Sequence, residues 1–234
     1  MFFNRVFFLD NSSGAAVASR ALARCLAGQG FEVEAVCGVM VDGAAVGDAS
    51  SALAAPEWPP GAVIRGDDPP TYLHASVDGV TVTSLRGPLR PYHPPETAEV
   101  EDLGRALDGV LERFRPDVFV TYGGDHLTVH ALARARSQGV ATVFLLHNFN
   151  YHQVSPFENV DAVLVASRFA ADYYLASLGL SCTVLPYPID HDRVRAERRG
   201  GRHVTFVNPS AEKGVFAFAR MADQLVGHLA CPWP

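Results

Sequence analysis

The chain has 234 residues, 48% of them hydrophobic, and a formal net charge of −6. That length and apolar content can bury a core, which excludes a disordered protein, and the acidic balance excludes a general nucleic-acid binder, which is basic overall. The four cysteines (Cys25, Cys37, Cys182, Cys231) form no C-x-x-C pair, so buried free thiols in a reducing compartment are expected rather than a disulfide frame or a metal site.

The chain opens on MFFNRVFFLD, an apolar stretch interrupted by Asn4 and Arg5. It lacks the h-region and cleavage site of a signal peptide, and no run approaches the ~18 apolar residues of a membrane span, so a cytoplasmic protein is expected. Residues 5–9 predict a first buried strand, and Asp10-Asn11-Ser12-Ser13-Gly14 a polar turn. Residues 15–29 predict an Ala/Leu-rich helix closed by Gly30, and residues 31–37 a second strand. Strand, glycine loop, helix, strand is a parallel βαβ unit. The signature G-x-G-x-x-G is absent and Gly14 stands alone, so this loop predicts a tight turn as readily as a ligand contact.

Residues 38–70 are rich in Gly, Ala, Pro and Asp and read as a loop region with short elements, including a strand at 62–65. Residues 72–77 and 80–85 are β-branched runs flanking Asp78-Gly79, a two-residue hairpin signal. Residues 87–95 hold four prolines and read as an irregular crossing loop. Residues 96–114 predict an amphipathic helix ended by Pro116. Three strands follow at 117–122, 140–146 and 161–165, each with a loop and then a helical or polar segment. Helices are predicted over 127–138 and 168–178, and a last strand over 182–185.

Continuous apolar strands alternating with amphipathic helices predict an α/β protein with a doubly wound parallel sheet and a small β-hairpin insertion. Ligands of such sheets sit at the carboxyl ends of the strands. The candidates are therefore Ser13 and Gly14, Gly123, Gly124, Asp125 and His126, His147 and Asn148, and Ser167 and Arg168.

A second unit begins near residue 203. Residues 204–207 read as a buried strand, 208–214 as a turn-rich loop holding Lys213, and residues from Val215 onward as a helix. A helix start with free N–H groups beside a lysine suits an anion.

The glycine-bearing first loop, the DGV hairpin, TYGGDH, LLHNFNY, VLVASRFAADYY leading to LPYPID, and FVNPSAEKG stand in this order. This ordered set resembles the family 4 glycosyltransferases of the GT-B fold, across essentially the whole chain. The resemblance implies two Rossmann-like domains, the first on the acceptor side and the second holding a nucleotide-diphosphate sugar. On that basis residues 1–186 form the first domain, 187–202 a linker, and 203–234 the start of the donor domain. It implies that His147 lies near the transferred sugar and acceptor as the catalytic residue. It also implies that Lys213 contacts the donor diphosphate and that Gly14 lets backbone approach those phosphates. Ser13, Gly123, Gly124, Asp125, His126, Asn148, Ser167 and Arg168 are then expected to line the acceptor cleft. The family's arginine a few residues before the lysine is replaced here by Asn208-Pro209-Ser210. The family's later Glu-x7-Glu pair does not occur before Pro234, which reads as a truncated or frameshifted copy with little activity of its own.

The expected reaction is metal-independent, retaining transfer of a sugar to an acceptor hydroxyl, with no cofactor beyond the nucleotide-sugar substrate. The alternative is a non-catalytic module that binds a sugar, a lipid head group or a protein. A different nucleotide-using enzyme is disfavoured, because neither phosphate-loop signature occurs. Plainer readings stand beside the site residues. Asp125 is at a helix start, where an acidic residue is commonly an N-cap, and Lys213 could be a solvated helix-start lysine. The arginines of 193–202 read as a solvated linker, with peripheral contact to an anionic membrane surface as the alternative.

Overall fold

The computed structural model describes residues 1–43, 47–54, 65–66, 72–189, 204–207, 211 and 213–226. They fall into two units, Met1–Asp190 and His191–Pro234. In the first unit the chain runs β1 (Phe2–Val6), α1 (Gly14–Gly28), β2 (Val33–Val41), α2 (Ala49–Leu53), β3 (Arg65–Gly66), β4 (Tyr72–Val77), β5 (Val80–Leu85) and β6 (Arg90–Pro91). It continues through α3 (Thr97–Phe114), β7 (Val118–Thr121), α4 (His126–Ser137), β8 (Ala141–Leu146), a 3-10 turn at Ser155–Phe157, β9 (Ala162–Val165), α5 (Arg168–Leu178) and β10 (Thr183–Val184).

The strands form one sheet in the order β10-β9-β8-β7-β1-β2-β5-β4-β3, with β6 also pairing β2. Pairing is parallel from β10 through β5, and the edge β5–β4–β3 is antiparallel. The chain leaves β1 in one direction through β2 and β5, then returns to β7 on the other side of β1. The sheet therefore reverses its winding between β1 and β7, and a crevice opens there outside the strand ends.

Alternation along β1 decides what each face meets. Val6 packs with Ala16 of α1 and with Met40, while Arg5 on the opposite face pairs with Glu99 of α3. Both faces of the central strands are covered, so all nine residues of β2 are buried. The one carboxylate in that strand, Glu34, is held bidentately by Arg113 at 2.8 and 2.6 Å.

Arg5 itself is only 1% exposed. Its Nε and one terminal nitrogen donate to Glu99 at 3.2 and 2.9 Å, and the same terminal nitrogen donates to the His93 carbonyl at 3.2 Å. The His93 ring meets Glu99 at 3.1 Å. This buried group ties the loop before α3 to the centre of the sheet.

The β1–β2 register slips beside it: Asn4 faces Cys37, but Val6 faces Met40. One extra β2 residue is accommodated in a bulge. Gly38 sits there, and a Cβ on it would lie 2.4 Å from the Arg5 carbonyl oxygen. Only glycine allows the two backbones to approach so closely.

Several boundaries differ from the sequence reading. The first strand is Phe2–Val6 rather than 5–9, because Phe7–Asp10 turns: the Asp10 N–H donates to the Phe7 carbonyl at 3.0 Å. β2 runs four residues past Cys37, paired with β6. The proline-rich 87–95 loop therefore contributes a strand, and α2 lies within the expected loop 38–70. Of the expected strand 62–65, only Arg65 lies within the described residues, in β3. The hairpin falls at the expected residues, with Asp78 and Gly79 both at positive φ.

The thiol expectation needs correction. Cys37 is buried, and burial pushes its pKa up to about 11, but Cys25 is exposed and Cys182 half-buried. Cys231 lies outside the described residues.

In the second unit, α6 (Val215–Val226) forms as expected. Residues 204–207 do not form a strand. Val204 and Val207 are 72% and 79% exposed, and no described residue pairs with them, which a β-branched run needs to become a strand. Phe206 instead stacks on Phe218 of α6, with ring centroids 4.8 Å apart.

Candidate functional site

The loops that follow β1, β2, β7 and β8 meet at the carboxyl edge of the sheet. Asp10, buried after β1, ties two of them together. Its Oδ1 accepts from the Ser12 N–H at 2.8 Å and the Ser12 hydroxyl at 2.5 Å, and its Oδ2 accepts from the Asp42 N–H at 2.8 Å. Arg20 of α1 adds bonds to the Phe8 carbonyl at 3.0 Å and to Asn11 Oδ1 at 2.6 Å. Across the winding reversal, Asn4 Nδ2 donates to the Tyr122 carbonyl at 2.6 Å.

His147 is the first residue after β8. Its Nδ1 lies 2.6 Å from the Tyr187 hydroxyl, and its ring meets Tyr122 edge-on at a centroid distance of 5.3 Å. Its Nε2 is buried without a hydrogen-bond partner among the described residues. Burial lowers the His147 pKa to about 4, so the ring is neutral near pH 7. The phenols beside it also stay protonated. Burial raises the Tyr122 pKa steeply, with Asp42, Cys37 and Asp10 adding to it, and burial raises that of Tyr187. Between a neutral imidazole and a phenol, the phenol is the stronger acid. Tyr187 therefore donates to Nδ1, and Nε2 carries the imidazole proton.

The histidine makes stability depend on pH in a defined direction. The unfolded chain takes up this proton near pH 6.5 and the folded chain near pH 4. Folding stability is therefore unaffected by this group above pH 6.5 and falls as pH drops through that window. Denaturant titrations of wild type and His147→Gln between pH 7.5 and 4 should show a shallower acid loss in the variant. Parallel curves would mean that His147 titrates normally.

The other candidates divide by what the fold asks of them. Ser13, Asp125 and Ser167 are the N-caps of α1, α4 and α5, accepting from the N–H groups of Ala16, Thr128 and Ala170 at 3.4, 2.8 and 3.2 Å. Gly14 is the first residue of α1, and a Cβ there would meet no atom of the described residues within 4 Å. A side chain at this one position would therefore find open space. Gly123 has a φ of +91°, and a Cβ on Gly124 would come within 2.9 Å of the Tyr151 ring. These glycines let the loop after β7 turn under Tyr151, which is wedged against Phe144 and Phe157. His126 and Arg168 are exposed at the starts of α4 and α5. The Asn148 carbonyl accepts from the buried Tyr174 hydroxyl at 2.6 Å, and Asn148 Oδ1 accepts from the Asn150 N–H at 3.1 Å. Lys213 is exposed in the turn before α6, in the second unit, next to Gly214 at φ +87°.

Sequence reasoning missed Asp10, Arg20, Tyr122 and Tyr187. Asp10 carried a usable signal, since an aspartate at the end of an apolar run and two residues before a serine is the pattern of an Asx turn. Tyr187 carried none, because its partner is forty residues earlier in the chain.

Among the described residues, no helix is long and apolar enough to cross a membrane. No group of three histidine, cysteine, aspartate or glutamate residues among them could hold a metal ion. Comparison with curated proteins gives no match. Residues 13–188 match the model of a family described as glycosyl transferase 4-like domain, and the chain belongs to that family.

Proposed function

We propose that this family 4-like chain takes part in moving a glycosyl unit from a nucleotide-diphosphate sugar to an acceptor hydroxyl, without a metal and with retention of anomeric configuration. The observation that carries the reading is His147: a neutral, largely desolvated imidazole at the end of β8, in a chain of this family. Such a group hydrogen-bonds hydroxyls and contributes by positioning and charge stabilisation rather than as a cation. In this reading His147 orients sugar or acceptor hydroxyls, and the open space at Gly14 leaves room for a ligand. Lys213, exposed before α6, contacts the donor diphosphate as a mobile point charge.

A second reading, a module that binds a sugar, a lipid head group or a protein without turnover, draws support from the caps. Ser13, Asp125 and Ser167 already spend side-chain oxygens on helix N–H groups, which leaves fewer polar groups for chemistry.

Nucleotide binding separates the two readings. UDP or GDP is expected to raise the melting temperature saturably, by the equivalent of about 2.7 kcal/mol at a hundred times Kd. Lys213→Ala should abolish most of that rise. If neither nucleotide shifts the melt, or if Lys213→Ala responds like wild type, the donor assignment fails and the binding-module reading stands.

A further inference from the structure

The environment of His147 contains a contact that the transfer reading does not use. One ring nitrogen, Nδ1, is taken by the Tyr187 hydroxyl at 2.6 Å. The other, Nε2, is buried and has no hydrogen-bond partner among the described residues. Neither nitrogen is open to an incoming molecule. Tyr187 arrives on a short, stiff segment, since Pro186 and Pro188 fix the backbone on either side of it. With Leu185, these residues close a cavity of about 20 Å³ against Leu145 and Leu22. Tyr187 is 42% exposed, and its ring lies beside that of His147 at a centroid distance of 5.4 Å. It is thus a lid residue with one face in solvent and its polar tip on the imidazole.

We propose that Tyr187 is a latch on His147: its hydroxyl occupies the nitrogen that a ligand hydroxyl must reach, and a ligand engages the histidine only by displacing it. This deepens the reading of His147 as a ligand-facing group and rests on it. The chemistry of the occupant defines the class of molecule that can replace it. A phenol and an alcohol both offer an O–H to a nitrogen lone pair. A phosphate dianion or a carboxylate offers Nδ1 no proton and finds no positive charge on a neutral ring. The displacing group is therefore a neutral hydroxyl, as on a sugar, and not an anion. The latch is a single hydrogen bond between uncharged groups, so it biases the site without locking it.

Diethyl pyrocarbonate, which acylates an unprotonated, accessible imidazole nitrogen, reads the latch without any donor or acceptor. Labelling of each histidine in the full chain is followed by mass spectrometry, with exposed His126 and His130 as internal references. Tyr187→Phe removes only the hydroxyl. His147 is expected to label about five-fold faster in that variant, the population change produced by losing one ordinary neutral hydrogen bond, while His126 and His130 keep their rates. Equal His147 rates in wild type and Tyr187→Phe overturn the latch. So does acceleration only in Tyr187→Leu, since ring bulk and not the hydroxyl would then close the site. Wild type alone gives a second measurement. A nitrogen NMR spectrum showing His147 as one fixed neutral tautomer with a hydrogen-bonded Nδ1 supports the latch, and averaging between tautomers overturns it. If UDP and GDP fail to bind while Tyr187→Phe accelerates labelling, the transferase reading falls and the latch stands. If they bind and labelling does not change, the reverse holds.

Discussion

Arg5→Met is expected to destabilise the first unit by about 3–5 kcal/mol, a large share of the roughly 5–15 kcal/mol by which folded domains are stable. Arg5 lies next to the end of β1 and is 1% exposed, and Glu99, its partner on α3, is 9% exposed. Two of its nitrogens bind both Glu99 oxygens. The methionine fills much of the arginine's volume, so the loss comes chiefly from leaving a buried carboxylate that keeps, among the described residues, His93 as its hydrogen-bond partner. The double variant Arg5→Met, Glu99→Leu removes that stranded carboxylate, and it should recover much of the stability because an apolar pair of similar volume often equals a buried ion pair. Guanidinium unfolding of the two variants and wild type checks both statements. A single-variant cost below about 1 kcal/mol would mean that water reaches the pair in solution.

Gly38→Ala is expected to cost about 3 kcal/mol or more, a large effect for one methyl group. The added Cβ would fall 2.4 Å from the Arg5 carbonyl oxygen and 3.3 Å from its Cα. These are backbone atoms of a strand paired on both sides, so no side-chain rotamer can relieve the clash. The same substitution should act oppositely at Gly104 in α3, where a Cβ meets no atom of the described residues within 4 Å. Gly104→Ala is expected to stabilise by about 0.5–1 kcal/mol, because alanine loses less backbone entropy in a helix. Melting curves of the two variants shifting in the same direction would overturn the bulge argument. Both large effects meet at Arg5, so Gly38→Ala and Arg5→Met should not combine additively.

The hairpin was legible to the residue, since Asp78-Gly79 fixes both the turn and the register of β4 on β5. The helix Arg168–Leu178 was equally legible, because Ser167 caps one end and Gly179 in the left-handed region closes the other. The first strand was placed three residues late, because MFFNRVFFLD is apolar on both sides of Asn4-Arg5 and a hydrophobic pattern cannot choose between two registers. The run at 204–207 shows the converse. Its composition suits a strand, but a strand exists only when another pairs with it.

The candidate site was legible as positions rather than as geometry. Residues directly after apolar strands could be named, and His147 was among them. What happens at those positions depends on partners far away in the chain. Tyr187 meets His147 across forty residues, Asp10 meets Asp42 across thirty-two, and Arg5 meets Glu99 across ninety-four.

By itself, then, the sequence determined the local features of this protein: its βα periodicity, its hairpin, its capped helices and the family resemblance carried by short motifs in order. These rest on neighbours within a few residues, where backbone preference and side-chain period act directly. Only the tertiary structure decided that Arg5 is buried, that β2 bulges at Gly38, and that a tyrosine in the segment after β10 takes Nδ1 of His147 while burial covers Nε2. Those outcomes depend on which strands lie side by side and on where close packing leaves no room for a Cβ or for water, and no local pattern encodes them.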